Sequence, residues 1–384
     1  MTQVDLYNLE PVLTLMGVGL LVAGIPLAWF WRRHRKARPS QRLKALTLLT
    51  LTLTFELVLV GAFTRLTDSG LGCPDWPGCY GSASPLGAAT HITAAQTAMP
   101  TGPVTHGKAW VEMVHRYMAT GVGVLIIVLT VLTWRTWRHD RQQAVHPLWP
   151  GITLVWVCLQ GAFGALTVTM KLFPAIVTLH LMMAIGLLAL LTLQAVRYEG
   201  WRSVPVSAVP LAGLRLGLAL LTLQIALGGW VSTNYAVLAC SDFPTCQGQW
   251  WPAMNWQGFA LWRELGHGAD GQPLPFAALA SIHYVHRCMA WLVLAVLLTL
   301  GWRLRQVSGL HKAARLLLWL CALQFVTGLS NVVLDWPLVA AVLHTGGASA
   351  LLVTLVWMLS LSRLSSVSLP TGRPLSSDPS RPVA

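Results

Sequence analysis

The chain has 384 residues, 55% of them hydrophobic and only 10% charged, with 19 tryptophans and a mean hydropathy of +0.60. So few polar residues cannot coat a water-soluble body of this size, which excludes a soluble globular protein and identifies an integral membrane protein. The net charge of +13 could suit nucleic acid, but Lys and Arg gather in alternate connections between apolar segments, as the positive-inside rule requires, so no nucleic-acid partner is expected.

Nine segments are long enough, at 1.5 Å per residue, to cross about 30 Å of hydrocarbon. The first, 11–31, is too long for a signal h-region and lacks a small-residue cleavage site, so it reads as a retained anchor that forms, with the basic run Arg32 to Lys44, a unit over 1–44. The second, 45–63, leads into a loop over 64–108 containing LGCPDWPGCYG, with Cys73 and Cys79. The third, 109–133, opens near EMVHRYMATGVG; the fourth and fifth cover 148–167 and 175–197. The sixth, 213–233, precedes a loop over 234–278 with ACSDFPTCQGQW, a second copy of the cysteine pattern at Cys240 and Cys246. The seventh to ninth cover 279–303, 314–334 and 337–361, and the Ser/Pro-rich tail over 364–384 is expected to be disordered.

Of the 26 Lys and Arg, 20 lie in five connections (Arg32 to Lys44, Arg135 to Arg141, Arg197 to Arg215, Arg303 to Arg315, and from Arg363 onward), which are therefore expected on the cytoplasmic side. The N-terminus, the loops 64–108, 168–174 and 234–278, and the short turn at 335–337 then face outward. The outer side of a bacterial plasma membrane is oxidising, so Cys73 with Cys79 and Cys240 with Cys246 can each close a disulfide; a zinc site is the competing reading. Cys158, Cys288 and Cys321 fall within helices and read as small buried apolar residues. Trp76, Trp250 and Trp251 read as interface-belt residues, and His91, His106 and His267 as solvated loop histidines.

The cysteine loops belong to a longer repeat. Gly61 precedes Cys73 as Gly228 precedes Cys240; His115-Arg116-Tyr117-Met118-Ala119 matches His286-Arg287-Cys288-Met289-Ala290; and Leu159-Gln160, Gly164 and His180 match Leu323-Gln324, Gly328 and His344. Each copy holds four helices, an even number, so both have the same membrane orientation. The expected fold is an all-α integral membrane protein. Two parallel four-helix-bundle repeats, 45–197 and 213–361, are related by a pseudo-twofold axis along the membrane normal, with one extra N-terminal transmembrane helix.

His115, His180, His286 and His344 each lie roughly 10 Å inside the outer end of an outer-to-inner helix. One intramembrane histidine is ordinarily a hydrogen-bonded core residue, but four at matched depth, two per repeat, indicate ligands. Two imidazoles on different helices of one bundle can hold an iron from both faces, the bis-histidine ligation of haem. Copper or zinc would need a further ligand beside each pair; His283 could serve in the second half, but its counterpart is Glu112. Gly121, Gly123, Gly161, Gly164 and Gly186 would admit a flat macrocycle or, more simply, close helix packing. Arg116 and Arg287 could bind haem propionates or snorkel to headgroups. Glu112, three residues before His115, shares its helix face and is costly at that depth unless used. Glu56 aligns with Leu223 and is assigned no function beyond pairing.

TRLTDSGLGCPDWPGC, EMVHRYMATGVG, PAIVTLH, SIHYVHRCMAW and VLHTGG, taken together over about residues 45 to 361, resemble the haem A synthase family, and the paired loop cysteines match its bacterial members. That family has eight spans, so the helix at 11–31 is a departure. The resemblance implies oxidation of the C8 methyl of haem O to the formyl group of haem A, by two hydroxylations and loss of water. It implies substrate or product haem between His115 and His180 with Glu112 as the nearby acid, and a haem b cofactor between His286 and His344. The lipid bilayer is the expected surrounding. A haem O synthase, an electron donor (ferredoxin-like or quinol) and a second copy of the chain are the candidate partners. The rival readings are a di-haem b-type electron-transfer cytochrome and a haem carrier or transporter.

Overall fold

The computed structural model describes residues 10–141, 146–199 and 203–364; the N-terminus and the tail expected to be disordered lie outside the described residues. Ten α-helices are present among them: α1 (Glu10–Arg33), α2 (Pro39–Leu66), α3 (Ala89–Ala98), α4 (His106–His139), α5 (Leu148–Thr169), α6 (Pro174–Glu199), α7 (Ala208–Thr233), α8 (Phe276–Leu304), α9 (His311–Val333) and α10 (Leu338–Leu361). Nine, all but α3, are long and apolar enough to cross a membrane. They coincide with the nine expected segments, and the protein is a multi-pass, all-α membrane protein. The remaining regular structure is a 3-10 turn at Trp256–Phe259 and two three-residue strands, β1 (Val204–Val206) and β2 (Ser362–Leu364), paired in parallel.

Helix starts follow local chemistry. Pro39 and Pro174 open α2 and α6, where a missing N–H costs nothing and φ is already helical. Thr105 caps α4 by accepting from Lys108 N at 3.3 Å. α2 and α7 run into left-handed residues at Asp68 and Tyr235; α5 and α9 do so at Lys171-Leu172 and Asp335-Trp336. Asp68 and Tyr235 are 167 positions apart, as are Tyr80 and Gln247, Gly81 and Gly248, and the cis-prolines Pro77 and Pro244. These backbone features thus recur in the two halves at a fixed spacing.

Packing contacts repeat too. In the first half α2 packs on α4, α4 on α5, α5 on α6 and α6 on α2, closing a ring; in the second, α7, α8, α9 and α10 close the same ring. The histidine-bearing helices, α4 with α6 and α8 with α10, stand on the diagonals. Between halves α2 meets α10, α6 meets α7, and α6 meets α10. At the seam, positions equivalent in the two halves touch: Arg65 donates to Ser232 O at 2.6 Å, and the Tyr235 hydroxyl to Asp68 Oδ1 at 2.5 Å. α1 packs on α4, where Gly19 faces Thr120 and Gly121 faces Val22.

Lipid is as apolar as leucine, so such helices are held by close van der Waals fit rather than by exclusion from water. One apolar cluster, including Leu188, Leu214, Leu297, Leu317 and Leu355, spans both halves; another, around Leu46, Ile126, Leu129 and Leu191, belongs to the first. Gly346 of α10 sits where a Cβ would lie 2.6 Å from Leu59 of α2, on the seam. Gly346→Val is expected to cost about 1–3 kcal/mol as overpacking, seen as a lower melting temperature in detergent. Gly17→Val, with open space around it, should leave melting unchanged.

Candidate functional site

Each of the four histidines lies opposite a glycine of a neighbouring helix. A Cβ on Gly61 would fall 2.9 Å from His115 Cε1, on Gly164 3.2 Å from His180 Cε1, on Gly228 3.0 Å from His286 Cε1, and on Gly328 3.1 Å from His344 Cε1. The imidazole edge occupies the space that any other side chain would take, so the glycines set the ring positions. His115 and His180 stand on diagonal helices of the first ring, and His286 and His344 on diagonal helices of the second. Of the five glycines considered as admitting a macrocycle, only Gly164 faces a histidine. Gly186 abuts Trp156 and Gly121 abuts Val22, both close helix packing, while Gly123 and Gly161 meet no neighbour within 4 Å.

Above each pair sits a cysteine ring. Cys73–Cys79 and Cys240–Cys246 are disulfides, with Cα separations of 4.8 and 4.7 Å. An aspartate ties each ring internally: Asp75 accepts from Tyr80 N at 2.6 Å and Gly81 N at 2.7 Å, and Asp242 from Gln247 N at 2.6 Å and Gly248 N at 3.0 Å. The rings are bolted to the histidine helices by arginine. Arg116, 9% exposed, donates through Nη1 to the carbonyls of Asp75, Pro77 and Gly78 (3.0, 3.2 and 2.5 Å). Arg287 donates to Asp242 O, Thr245 O and Cys240 O (2.7, 3.0 and 2.5 Å). The guanidinium nitrogens considered for propionates are therefore engaged by ring carbonyls, and propionate binding would require these bonds to be exchanged.

The halves differ at the position one turn before each arginine. Glu112, 4% exposed, accepts from Arg116 Nη2 at 2.5 Å and from Cys73 N at 2.8 Å, so a buried carboxyl group is held from two sides. Its counterpart His283 accepts from Arg287 Nε at 3.2 Å and is an arginine partner rather than an added metal ligand. Among the described residues no group of three or more His, Cys, Asp and Glu could hold a metal ion. Of the histidines expected in loops, only His267 lies in one, bonding Leu265 O; His91 is on α3, where it stacks on Tyr80, and His106 is the first residue of α4, where it bonds Thr93. Cys321 is buried, but Cys158 and Cys288 are exposed: they sit on outward faces of α5 and α8, where an apolar thiol suits lipid as well as a core. Glu56 is exposed on α2 and makes no ion pair among the described residues. Trp76, Trp250 and Trp251 are exposed.

The sequence reading matches Leu159-Gln160 with Leu323-Gln324 but does not find their third counterpart, Gln224. The pattern Leu-Gln-x-x-x-Gly occurs three times, at Gln160/Gly164, Gln224/Gly228 and Gln324/Gly328, each facing a histidine. Gln160 Nε2 lies 3.5 Å from His180 Nε2, Gln224 Nε2 3.1 Å from His286 Nδ1, and Gln324 Nε2 2.9 Å from His344 O.

Asp242 also gives a pH prediction. The Thr245 hydroxyl, then the Gly248 and Gln247 N–H groups, hold its carboxyl below the ordinary value of 3.8, outweighing burial. A carboxylate with a lowered folded-state pKa stabilises above its unfolded pKa, and that contribution disappears as pH falls through the folded value. Melting of the wild type should therefore fall below about pH 4 more steeply than that of Asp242→Asn.

The COX15-CtaA family, described as a cytochrome oxidase assembly protein, matches residues 44–356, a span that begins after α1. The chain is similar to a protein named Heme A synthase in Shewanella oneidensis (40% identical over 312 residues, 80% of this chain and 93% of the relative). It is also similar to proteins of that name in Halalkalibacterium halodurans (28% over 317 residues, 79% and 91%) and Caulobacter vibrioides (27% over 332 residues, 78% and 90%). With most of its length matched to the family and the paired-histidine halves lying within that span, this chain belongs to the COX15-CtaA family.

Proposed function

We propose that the protein is a haem A synthase, an oxidoreductase that converts haem O to haem A by oxidising a ring methyl to a formyl group. The observation carrying this reading is that one half sets a doubly held buried carboxyl, Glu112, one helical turn from an inward histidine, while the other sets an imidazole there. Two equal electron-carrying halves would need no such difference. The names of the relatives support the same reaction.

The residues fit the groups they would hold. Each half places two imidazoles on diagonal helices of a closed ring, cleared by a glycine, and His115 Nδ1 and His180 Nδ1 are buried without a hydrogen-bond partner. In this reading His115 and His180 hold the substrate haem, and His286 and His344 hold haem b. Haem b supplies one-electron redox chemistry when bound. The first and second rings of helices, 45–197 and 213–361, act as substrate and cofactor halves about a pseudo-twofold axis, a reading supported by the matched backbone and the touching equivalent positions.

Glu112 is positioned for proton work beside the substrate. Arg116 fixes Oε1 and Cys73 N fixes Oε2, so the carboxyl cannot swing away. A group held in this way exchanges a proton at a defined place, which loss of water from a hydroxylated carbon requires. The cysteine ring supplies one of these holds and so takes part in aiming the acid. The basic connections at the opposite helix ends support placing rings and histidines on the periplasmic side of a bacterial inner membrane. Haem O synthase, an electron donor and a second copy of the chain stand as proposed partners.

The deciding experiment extracts pigment from cells that make haem O. His115→Ala, His180→Ala and Glu112→Ala are expected to abolish formyl porphyrin, and Arg116→Ala to reduce it. His286→Ala and His344→Ala should lose the b-type absorbance. Wild-type cells yielding only unmodified haem would leave an electron carrier or a haem transporter instead.

Opening the Cys73–Cys79 ring frees a hold on Glu112, whereas opening Cys240–Cys246 frees none on any acid. Serine pairs at the first ring are expected to lower haem A yield more than at the second, measured at equal protein content.

A further inference from the structure

Among the four histidines, His115 is the exception. The helix facing each of the others carries a glutamine four residues before its glycine; the amide approaches the ring of His180 and of His286, and the backbone carbonyl of His344. His344 has in addition the Thr327 hydroxyl at 3.0 Å from Nδ1. On α2 the corresponding stretch reads Glu56-Leu57-Val58-Leu59-Val60-Gly61, with Leu57 in place of the glutamine. Nδ1 is buried without a partner in both His115 and His180, but His180 has the Gln160 amide near its other ring nitrogen, whereas no side chain bonds the His115 ring among the described residues.

An imidazole that binds iron through one nitrogen carries its proton on the other, and a partner for that N–H fixes the ring and raises its basicity. A glutamine suits this task because its amide offers both a donor and an acceptor. The oxygens of Gln160 and Gln224 are buried without partners, so a half-turn of the amide presents an acceptor to the ring. Leu57 can do neither.

We propose that Gln160, Gln224 and Thr327 are positioning residues that hold the rings of His180, His286 and His344 onto iron, with Gln324 fixing the His344 backbone, and that Leu57 leaves His115 as the releasable ligand. The substrate iron would then open on one chosen face, the His115 face, while the cofactor iron stays closed on both. This rests on the haem assignment above and adds to it which of four ligands yields. The reason lies in this chain alone: position 57 is four residues from Gly61, as Gln224 is from Gly228, so an amide introduced there would point at His115 as Gln224 points at His286.

Carbon monoxide reads the difference without turnover. Full-length protein in detergent is loaded with haem b at both sites, reduced with dithionite and titrated with CO. In the wild type one haem of the two should bind CO, and His286→Ala/His344→Ala, which lacks the cofactor haem, should keep that binding. Leu57→Gln should weaken it by roughly tenfold or more, the scale on which partners of metal-bound histidines act, with haem content unchanged. Gln224→Leu should do the reverse and open the second haem to CO. Unchanged CO binding in both Leu57→Gln and Gln224→Leu, or binding confined to the cofactor haem of the wild type, overturns the proposal while leaving the haem sites standing. Failure of the wild type to take up haem overturns both.

Discussion

Hydrocarbon offers no hydrogen bonds, and every polar atom carried into this bundle has to find its partner inside the protein. The threonines of α2 meet that demand cheaply: Thr47, Thr50 and Thr54 each turn their hydroxyl back onto the carbonyl four residues earlier, at 2.8, 2.8 and 2.7 Å. Arg116 and Arg287 meet it at larger scale. A guanidinium has five donors and no acceptor, and a tight loop with several inward carbonyls is the complementary object. The cysteine rings are such loops, so the arginine and the ring are each the other's means of being buried. Glu112 enters by the same logic, since it accepts from Arg116 and from the Cys73 N–H of the ring.

The same constraint separates what could be read in the sequence from what could not. The nine spans were legible because about 20 apolar residues in a row have few alternatives. Their ends were not: α4 extends from His106 to His139, beyond the apolar 109–133, because a helix continues into the headgroup region where polar residues are solvated. α3 was missed since ATHITAAQTA has little apolar periodicity and buries one large residue, Ile92, against the cysteine ring. Cys158 and Cys288 were misplaced because composition cannot distinguish a lipid face from a core face when both are apolar.

The four histidines and Glu112 were legible as costly residues at matched depth. The arginine partners were not, because a backbone carbonyl looks alike in every residue and leaves no mark on the sequence. Gln224 was overlooked for a different reason. The repeat register that sets Glu56 against Leu223 sets Leu57 against Gln224, so comparing the two halves matches Gln160 with Gln324 but leaves Gln224 without a counterpart.

The seam between the halves has an implication for how such a chain could arise. Where equivalent positions meet, an unfused symmetric dimer would set aspartate against aspartate at position 68 and arginine against arginine at position 65. Here Asp68 accepts from the Tyr235 hydroxyl and Arg65 donates to the main-chain carbonyl of Ser232. The mate of Asp68 is a hydroxyl particular to Tyr235, whereas the mate of Arg65 is a main-chain carbonyl that any residue at 232 would offer. The seam is therefore asymmetric at position 68, where one half offers a carboxylate and the other a phenol.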